Sequence, residues 1–552
     1  MRTTNHSLAP VLDNVSADRL MEYTANIAQW VRLSGSDDER KAFQYIDKTL
    51  REWGLETEIL EPLSLTSWPI SATLDVAGTN YPCITHSFGT TTDEDGVIAE
   101  VVYAGNGTRD EILATNPVGK IILVEGPGSP IKAVAVEGTG AVGVIHISPG
   151  VQIKEMILSP VWGSPGAGNI DDLPTLPHVS VNGASGDAIK RAVADGSVTA
   201  TMTTVVDTQW RKLPMLVSNI PAANGNDDFV LLSGHVDSWH YGAIDNGTAD
   251  AAAMETVRVL NDLRAELTRG VRVAFWSGHS HARYATSAWY ADECFVELHE
   301  HCVAHVNIDG PGAKHATILT DAPTMAETYD LARELIAEID QQALTYHRIA
   351  RMGDQSFWGA GLPSLYVNVS RVDANGTMEW YHTPLDTMEY IDPALLARDT
   401  KVLAATVYRL ATDSRLPIDQ SRAVDEMLAA LDEIDSESGG TFDLSMVRSD
   451  LVRLRALTEQ LMNEEDDARF NQLAMRLGRL LVPVNYSVNG PFFQDPALPV
   501  PTLPGLRGVV ELSRVAADSP ERSLLEVDLR RQRNRLQIAV RDAIDLLVSK
   551  LA

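Results

Sequence analysis

The spacing of apolar residues predicts two helices near the start of the chain. Residues 20–33 and 39–53 carry apolar side chains at intervals of three and four positions, the repeat of an amphipathic helix. Ser16 precedes the first run as a capping residue, and Gly54 follows the second as a stop signal. We therefore predict two helices within residues 16–53, joined by a polar turn.

The pattern changes three times further along the chain. From about residue 60 to 210, short β-type runs alternate with turns rich in Gly, Pro and Asn, which predicts a separate, mostly β module. Between about 213 and 415, strand-like and helical runs alternate, which favours an α/β layer structure. From residue 418 the chain is mostly helical, and its tail is predicted to join a bundle or to form a dimerisation surface.

Composition and charge narrow the classes of function. The chain has 552 residues, of which 44% are hydrophobic, so it has enough apolar surface for several cores and is not a disordered protein. The 45 Lys and Arg residues face 75 Asp and Glu residues, a net charge of −30. An acidic chain lacks the basic surface that nucleic acids and anionic membranes require. We therefore expect neither as a partner.

Cysteine usage and the N-terminal residues bear on the cellular compartment. Cys83, Cys294 and Cys302 are too few for a disulfide framework, which suits a reducing compartment. The first ten residues lack the basic stretch followed by an apolar stretch that is typical of an export signal. No run of 18 apolar residues predicts a membrane span. We expect a cytoplasmic protein.

Four residues of the metal-ligand type stand at strand ends or in loops of the α/β region. His235 and Asp309 each end a strand-like run, Asp245 lies in a Gly-flanked loop, and His382 lies in a loop stiffened by proline. Because ligands bind at strand ends in α/β sheets, these residues predict a divalent metal site. Asp237 is the candidate partner that fixes the His235 tautomer; a purely structural hydrogen bond between the two is the alternative.

Two motifs resemble a known family. Residues 234–247 (GHVDSWHYGAIDNG) and 381–387 (YHTPLDT) resemble the glutamate carboxypeptidase II and transferrin receptor branch of the co-catalytic zinc aminopeptidase clan. The resemblance covers nearly the whole chain. It implies an α/β fold class: a three-layer zinc-peptidase-like domain, an inserted mostly-β protease-associated domain, and a C-terminal helical domain. The implied boundaries are 1–60 for the N-terminal helical part, 61–212 for the insert, 213–415 for the metal-binding domain, and 416–552 for the helical domain.

The resemblance also implies a ligand set and an oligomeric state. His235 and Asp309 would hold one metal ion, His382 would hold the other, and Asp245 would bridge the two. The implied cofactor is one or two divalent ions, zinc by family, with iron, manganese or cobalt as alternatives. The C-terminal helical domain would form a homodimer.

The chain departs from the family at its catalytic carboxylates. The family has a Glu-Glu pair after a strand that ends in Trp, followed by a second Trp. Aligned on Trp276 and Trp289, His279 stands at the position of the general base and Ser280 at that of a ligand to the second metal. The usual role of the glutamate therefore does not transfer unchanged.

Three outcomes follow from this departure. His279 or His281 could occupy the vacant coordination position, giving a site richer in histidine. His279 could instead act as a general base, since imidazole has a pKa of about 6.5. Or a single ion could be held by His235, Asp245 and Asp309. We favour His279 as a metal ligand; that His279 and His281 only fill space is the structural alternative.

The leading hypothesis is a metal-dependent hydrolase that cleaves an amide or peptide-like C–N bond through a metal-activated water. Its substrate would be a small molecule or a short peptide-like compound. Catalytic roles are predicted for His279 and Asp237. Nearness in the family pattern predicts substrate contacts by Arg283, Arg351, Asp354, Ser356 and Tyr381.

Three other functions remain open. A lyase could use the same site, and a binding protein of the transferrin receptor type could have lost its metal. A serine hydrolase is the third alternative, because Ser280 follows a strand and precedes a helical run as in a nucleophile elbow. Asp309 or Asp354, with His382, would complete its triad.

Overall fold

The computed structural model describes residues 7–551. Residues 1–6, on which the expectation about an export signal partly rests, lie outside the described range. The first three helices are α1 (Ala9–Leu12), α2 (Ala17–Ile27) and α3 (Asp37–Glu52). The Ser16 side chain accepts a hydrogen bond from the Arg19 N–H at the start of α2, and Ser36 caps α3 in the same way. The two helices predicted from the apolar spacing are confirmed.

An inserted module follows the short strand β1 (Thr57–Leu60). Its elements are β2 (Leu63–Val76), β3 (Thr79–Tyr81), β4 (Ile84–Thr85), β5 (Val97–Tyr103), α4 (Arg109–Ala114), β6 (Ile121–Glu125), α5 (Pro130–Val136), β7 (Gly143–Ser148), β8 (His178–Asn182), α6 (Gly183–Asp195) and β9 (Thr199–Lys212). The strands form one sheet in the order β3-β2-β9-β5-β6-β7-β8-β4. The long strands β2 and β9 pair antiparallel from Leu63 opposite Lys212 onwards, so the chain enters and leaves the module side by side.

The α/β domain continues after the module. Its elements are β10 (Met215–Ile220), β11 (Phe229–His235), α7 (Ala249–Asp262), β12 (Gly270–Trp276), α8 (His279–Ala282), α9 (Ala285–Glu293), α10 (Phe295–His301), β13 (Cys302–Asn307), α11 (Tyr329–Asp340), β14 (Ser364–Leu365) and α12 (Pro393–Thr412). The sheet order is β1-β10-β12-β11-β13-β14. Strands β12, β11, β13 and β14 run parallel, so their carboxyl ends meet at one edge.

Helices cover both faces of this sheet. On one face α2, α7 and α12 pack on one another, and their core includes Leu20, Val257 and Leu403. On the other face α9 and α10 pack over Trp276 and Leu231. This is the three-layer α/β arrangement predicted from the sequence, and the fold class is confirmed.

The C-terminal region is helical. It contains α13 (Gln420–Ser438), α14 (Ser445–Met462), α15 (Asp467–Tyr486), α16 (Gly508–Leu512) and α17 (Pro520–Leu551) around a core of its own. The loop after α15 returns to the module, where the Ala497 N–H donates to the Pro160 oxygen across 2.7 Å. Within residues 7–551, no helix has both the length and the apolar character needed to cross a membrane.

Candidate metal centre

The ligand-type residues predicted from the sequence meet at the carboxyl edge of the parallel strands. His235 ends β11, His279 follows β12, and Asp309 follows β13. His235 Nε2 lies 3.7 Å from Asp309 Oδ1 and 3.4 Å from Asp245 Oδ1. One ligand atom each of His235, His279 and Asp309 lie within 4.8 Å of one another. The sheet topology thus joins positions that are far apart in the chain.

Asp245 lies between two imidazoles. Its Oδ1 faces His235 Nε2, and its Oδ2 lies 3.1 Å from the Nε2 of His382. Burial alone would raise the pKa of Asp245, but the two histidines hold it well below its usual value. The Asp245 carboxylate is therefore an anion with one oxygen directed to each side of the cluster.

Three histidines of the cluster share one hydrogen-bonding arrangement. Nδ1 of His235 lies 2.9 Å from the main-chain oxygen of Asp237, and Nδ1 of His382 lies 2.7 Å from that of Glu155. Nδ1 of His279 lies 2.8 Å from Asp354 Oδ2. Main-chain and carboxylate oxygens only accept, so each Nδ1 carries the proton. Each Nε2 is then left with a free lone pair, as in metal-binding histidines.

His279 lies beside His235. Their imidazole rings stack with centroids 3.7 Å apart and planes 16° apart. The His279 side chain is 16% exposed and that of Asp309 is 22% exposed. The cluster is therefore open to solvent on the side of these two residues.

The Asp237 carboxylate holds the main chain at His279 and Ser280 in place. It accepts hydrogen bonds from the Ser280 N–H at 2.7 Å, the His279 N–H at 3.2 Å and the Ser34 hydroxyl at 2.7 Å. Burial alone would raise its pKa, but the interaction of its carboxylate with the His235 ring lowers it below the usual value. Asp237 thus holds the start of α8 and, through its main chain, the His235 ring.

The donor set fits a divalent cation. Within residues 7–551, His235 Nε2 is buried and makes no hydrogen bond. Burial alone would lower the pKa of His235, but Asp237, Asp245 and Asp309 raise it well above its usual value. The surroundings thus favour a positive charge beside Nε2, which a divalent cation would supply. Imidazole nitrogen and carboxylate oxygen are both ligands that zinc accepts.

Two predicted residues lie apart from the cluster. The His281 ring is directed to Ser34, with Nδ1 3.1 Å from its hydroxyl, and packs on Trp239 with centroids 4.4 Å apart. Ser280 is buried, and among the described residues its hydroxyl makes no hydrogen bond to a histidine. The hydrogen bond between Ser280 and His382 that a serine hydrolase needs is therefore absent among residues 7–551.

The two arginines predicted to contact substrate differ in the hydrogen bonds that their guanidinium groups make within the protein. Arg351 donates to Gln355, Gln494 and Asp495 and stacks over Trp162 at 4.0 Å. Arg283 makes one long hydrogen bond, from Nη2 to the Ala497 oxygen at 3.3 Å. Among residues 7–551, Nε of both arginines is buried without a hydrogen-bond partner. The difference lies in the guanidinium Nη groups, of which those of Arg283 make fewer hydrogen bonds.

The remaining substrate candidates surround the cluster. The Tyr381 ring stacks on the His382 ring with centroids 3.8 Å apart. Burial, reinforced by Asp245 and Asp309, raises the pKa of the Tyr381 hydroxyl well above its usual value, so this group stays a hydrogen-bond donor. Asp354 and Ser356 are buried, and both contact the Ser287 hydroxyl.

Sequence reasoning missed two residues that hold the cluster. Asp386 accepts hydrogen bonds from the N–H groups of Ile244 and Asp245, at 2.8 and 3.0 Å, and burial together with Asp245 raises its pKa to about 8. It lies in the same motif as His382, so the motif itself was the available signal. Glu155 comes from the inserted module, and no local pattern indicates its contact with His382.

The chain is similar in sequence to known peptidases. Residues 216–407 match the model of peptidase family M28. Carboxypeptidase Q of Xenopus laevis is 23% identical over 424 residues, which cover 72% of this chain and 86% of that protein. A probable glutamate carboxypeptidase of Zea mays is 24% identical over 358 residues, which cover 59% of this chain and 49% of that protein.

A solved structure extends the likeness to the fold. The zinc aminopeptidase of Bacillus subtilis superposes with a TM-score of 0.56 at 20% identity, covering 72% of this chain and 96% of that one. Its match spans more of this chain than the α/β domain alone. The segment that matches the peptidase family M28 model, residues 216–407, lies within the α/β domain described above.

Proposed function

We propose that the protein is a zinc-dependent hydrolase that cleaves an amide or peptide C–N bond in a short peptide-like substrate. One observation carries the proposal: the two oxygens of Asp245 face two different imidazoles, His235 at 3.4 Å and His382 at 3.1 Å. A carboxylate between two histidines with free Nε2 atoms is suited to divalent metal. The likeness to zinc aminopeptidases and carboxypeptidases supports peptide bonds as the target.

The candidate ligands form two sets, a larger one expected to bind an ion tightly and a smaller one expected to bind an ion weakly. His235, His279, Asp309 and Asp245 would hold the first ion. His382 and Asp245 would hold the second, and Ser280 stands where the family has a carboxylate. A zinc ion bound here would supply a Lewis acid for the scissile carbonyl and an activated water. We propose tight binding of one ion and weak binding of a second.

Protein groups orient the substrate around this centre. The Tyr381 ring stacks on the His382 ring with centroids 3.8 Å apart, beside the proposed metal site. Its hydroxyl is suited to donate a hydrogen bond to the substrate. The unused donors of Arg283 suit a carboxylate, since a guanidinium binds one through two parallel hydrogen bonds. The favoured substrate has a free carboxylate next to the scissile bond.

The test compares metal content and hydrolysis in three proteins. Wild type, Asp245→Asn and the exposed control His347→Gln are analysed for zinc and assayed on two dipeptide sets, one N-blocked with a free carboxylate and one C-amidated with a free amine. Wild type is expected to contain about one zinc ion per chain and to lose activity to a chelator. Asp245→Asn should lose metal and about 100-fold or more in rate, whereas His347→Gln should retain both.

Two results would contradict the proposal. A folded wild-type protein that binds no metal and hydrolyses nothing would favour the binding-protein alternative. Hydrolysis that resists the chelator and disappears in Ser280→Ala would favour the serine hydrolase.

We also propose that the C-terminal helices form a homodimer. Four large apolar side chains of two C-terminal helices are more than half exposed: Leu524 (70%) and Ile538 (58%) on α17, and Met446 (60%) and Val452 (57%) on α14. A second copy of the chain would cover such side chains. Light scattering should give the dimer mass for wild type and the monomer mass for the double variant Leu524→Lys, Ile538→Lys. The control Val296→Lys, on α10, should leave the mass unchanged.

A further inference from the structure

His279 is held by a residue far away in the sequence. Its Nδ1 lies 2.8 Å from Oδ2 of Asp354, which follows 75 residues later and is 1% exposed. Because the carboxylate accepts from Nδ1, the neutral imidazole keeps its lone pair on Nε2. The ring offers one nitrogen within 4.8 Å of a ligand atom of His235 and of Asp309. A glutamate at position 279 would need no such partner, since both of its oxygens are acceptors.

A chain of donors ends on Asp354. The Ser287 hydroxyl donates to Asp354 Oδ1 across 2.7 Å and lies 2.9 Å from the Ser356 hydroxyl. The indole N–H of Trp162 donates to the Ser356 hydroxyl across 2.8 Å. Each hydroxyl has one proton, and for Ser287 the Asp354 Oδ1 at 2.7 Å is a nearer acceptor than the Tyr284 main-chain oxygen at 3.1 Å. The donors therefore run in one direction, from Trp162 through Ser356 and Ser287 to Asp354. This direction leaves Asp354 as a pure acceptor for His279.

We propose that Asp354 is a positioning residue that holds His279 in the tautomer with Nε2 free for the metal, and that the hydroxyl chain from Trp162 holds Asp354. The inference rests on the proposed function, because it assigns how the substituted ligand of that site is oriented. Trp162 belongs to the inserted module, so the module acts on the metal ligand through four hydrogen bonds. Metal-ligating histidines elsewhere depend on carboxylate partners in this way.

Asp354→Asn is the sharpest variant for the first step. Asp354 has a φ of +53°, a conformation that Asn adopts as readily as Asp, so the backbone is preserved. The Ser287 hydroxyl then donates to the amide oxygen, and the amide nitrogen faces His279 Nδ1. Because that nitrogen is a donor, it moves the imidazole proton to Nε2 and blocks the lone pair. The affinity for zinc, measured by competition with a chelating dye, should fall about 10- to 100-fold.

A matched control and a double-mutant cycle separate this role from general stability. Asp399 is also buried and also accepts from a serine, Ser370, across 2.6 Å. Asp399→Asn should lower the unfolding temperature and leave the zinc affinity unchanged. In a His279→Ala background, Asp354→Asn should cause no further loss of zinc affinity, because its effect passes through His279.

The Trp162 end of the series of hydrogen bonds is tested with a pair of tryptophan variants. Trp162→Phe keeps the aromatic ring but removes the donor to Ser356. Trp358→Phe removes a comparable buried donor, whose acceptor is Gln355 Oε1 at 3.2 Å and which is not part of the chain. Trp162→Phe should weaken zinc binding about threefold to tenfold, the effect of one neutral hydrogen bond, and Trp358→Phe should not.

The outcomes distinguish this inference from the proposed function. A wild-type protein that binds zinc and hydrolyses peptides, beside an Asp354→Asn variant with the same zinc affinity and rate, overturns the inference alone. A wild type that does neither overturns both. If Asp354→Asn does not fold, Ser287→Ala carries the same test, since it removes the donor to Asp354 Oδ1; unchanged zinc affinity in that variant overturns the inference.

Discussion

The imidazole of His382 donates from Nδ1 to the main-chain oxygen of Glu155 across 2.7 Å, and the Glu155 N–H donates back to the main-chain oxygen of His382 across 3.0 Å. Glu155 belongs to the inserted module, whereas His382 lies in the α/β domain. The module therefore orients one of the predicted metal ligands through its backbone. Its removal would affect the site directly, beyond any loss of stability.

The first prediction separates this backbone contact from the Glu155 side chain. Glu155→Pro removes the N–H that donates to His382, while Glu155→Ala retains it. We expect Glu155→Pro to weaken zinc binding about 10- to 100-fold and Glu155→Ala to change it less than about threefold. Zinc titration of the metal-free proteins measures both. Equal losses in the two variants would show that the side chain, and not the backbone, is responsible.

The second prediction concerns Ser280, which by the resemblance replaces a metal-binding carboxylate. Ser280→Glu restores that carboxylate, and its longer side chain is expected to reach the His382 side of the cluster. We expect the zinc content to rise from about one to about two ions per chain, because a third protein ligand completes the second set. Ser280→Gln has nearly the same volume without the charge, so its zinc content should stay at about one. Elemental analysis after gel filtration decides between these results.

The third prediction concerns the substrate carboxylate. Arg283→Gln should lower kcat/KM about 10- to 100-fold for dipeptides with a free carboxylate, since a hydrogen bond to a charged group is lost. The same variant should act on C-amidated dipeptides within about threefold of wild type. Arg333→Gln, an exposed arginine on α11, is the control. An equal loss of kcat/KM on both substrate sets would mean that Arg283 supports the structure and does not bind the substrate carboxylate.

The fourth prediction rests on three histidines of the inserted module, His86, His146 and His178, which are fully buried. His146 Nε2 lies 3.0 Å from His178 Nδ1, and His86 Nε2 lies 2.7 Å from the Ser180 hydroxyl. Burial lowers the pKa of His86 and of His178 to about 3, and burial with the neighbouring imidazoles lowers that of His146 well below its usual value. All three are neutral in the folded protein at neutral pH.

The sign of the pH effect follows from the unfolded state. There each imidazole takes up a proton below pH 6.5 or so, while the folded module resists protonation until much lower pH. The stabilising contribution is therefore complete above about pH 6.5 and is lost as the pH falls towards 3. At pH 5 each histidine should lower the free energy of unfolding by about 2 kcal/mol relative to neutral pH.

Urea unfolding at pH 7.5 and pH 5.0 measures this effect. His86→Gln has no titrating ring and can still hydrogen-bond to Ser180, so its loss of stability on acidification should be smaller than that of wild type by about 2 kcal/mol. The exposed His347→Gln should lose as much as wild type. The explanation fails if His86→Gln and wild type respond alike to acid.

Much of the fold could be read from local patterns. The helices α2 and α3 follow from apolar spacing and from their capping serines, Ser16 and Ser36, because such signals act within one or two turns. The strand before His235 was visible as an apolar run, and the alternation around it indicated the α/β layers. These features depend on residues that are close together in the chain.

The partners within the site could not be read in this way. His279 is hydrogen-bonded to Asp354, which lies 75 positions later in the sequence. His382 is hydrogen-bonded to Glu155, which lies 227 positions earlier. No periodicity links residues at such separations, and the contacts exist only because strands and the inserted module pack together. The same holds for Arg351, whose predicted role at the substrate contrasts with its position between Trp162 and residues of the C-terminal region.

By itself, the sequence determined the α/β class and predicted that His235, Asp245, Asp309 and His382 lie near one site. That His279 and Ser280 replace a carboxylate pair is what the resemblance to the peptidase family implies. Only the tertiary structure decided which oxygen each imidazole proton faces. That choice sets which nitrogen is free for metal, and it depends on acceptors that arrive from distant strands, loops and the inserted module. Ligand type is a local property of the chain, whereas ligand orientation is a property of the packed fold.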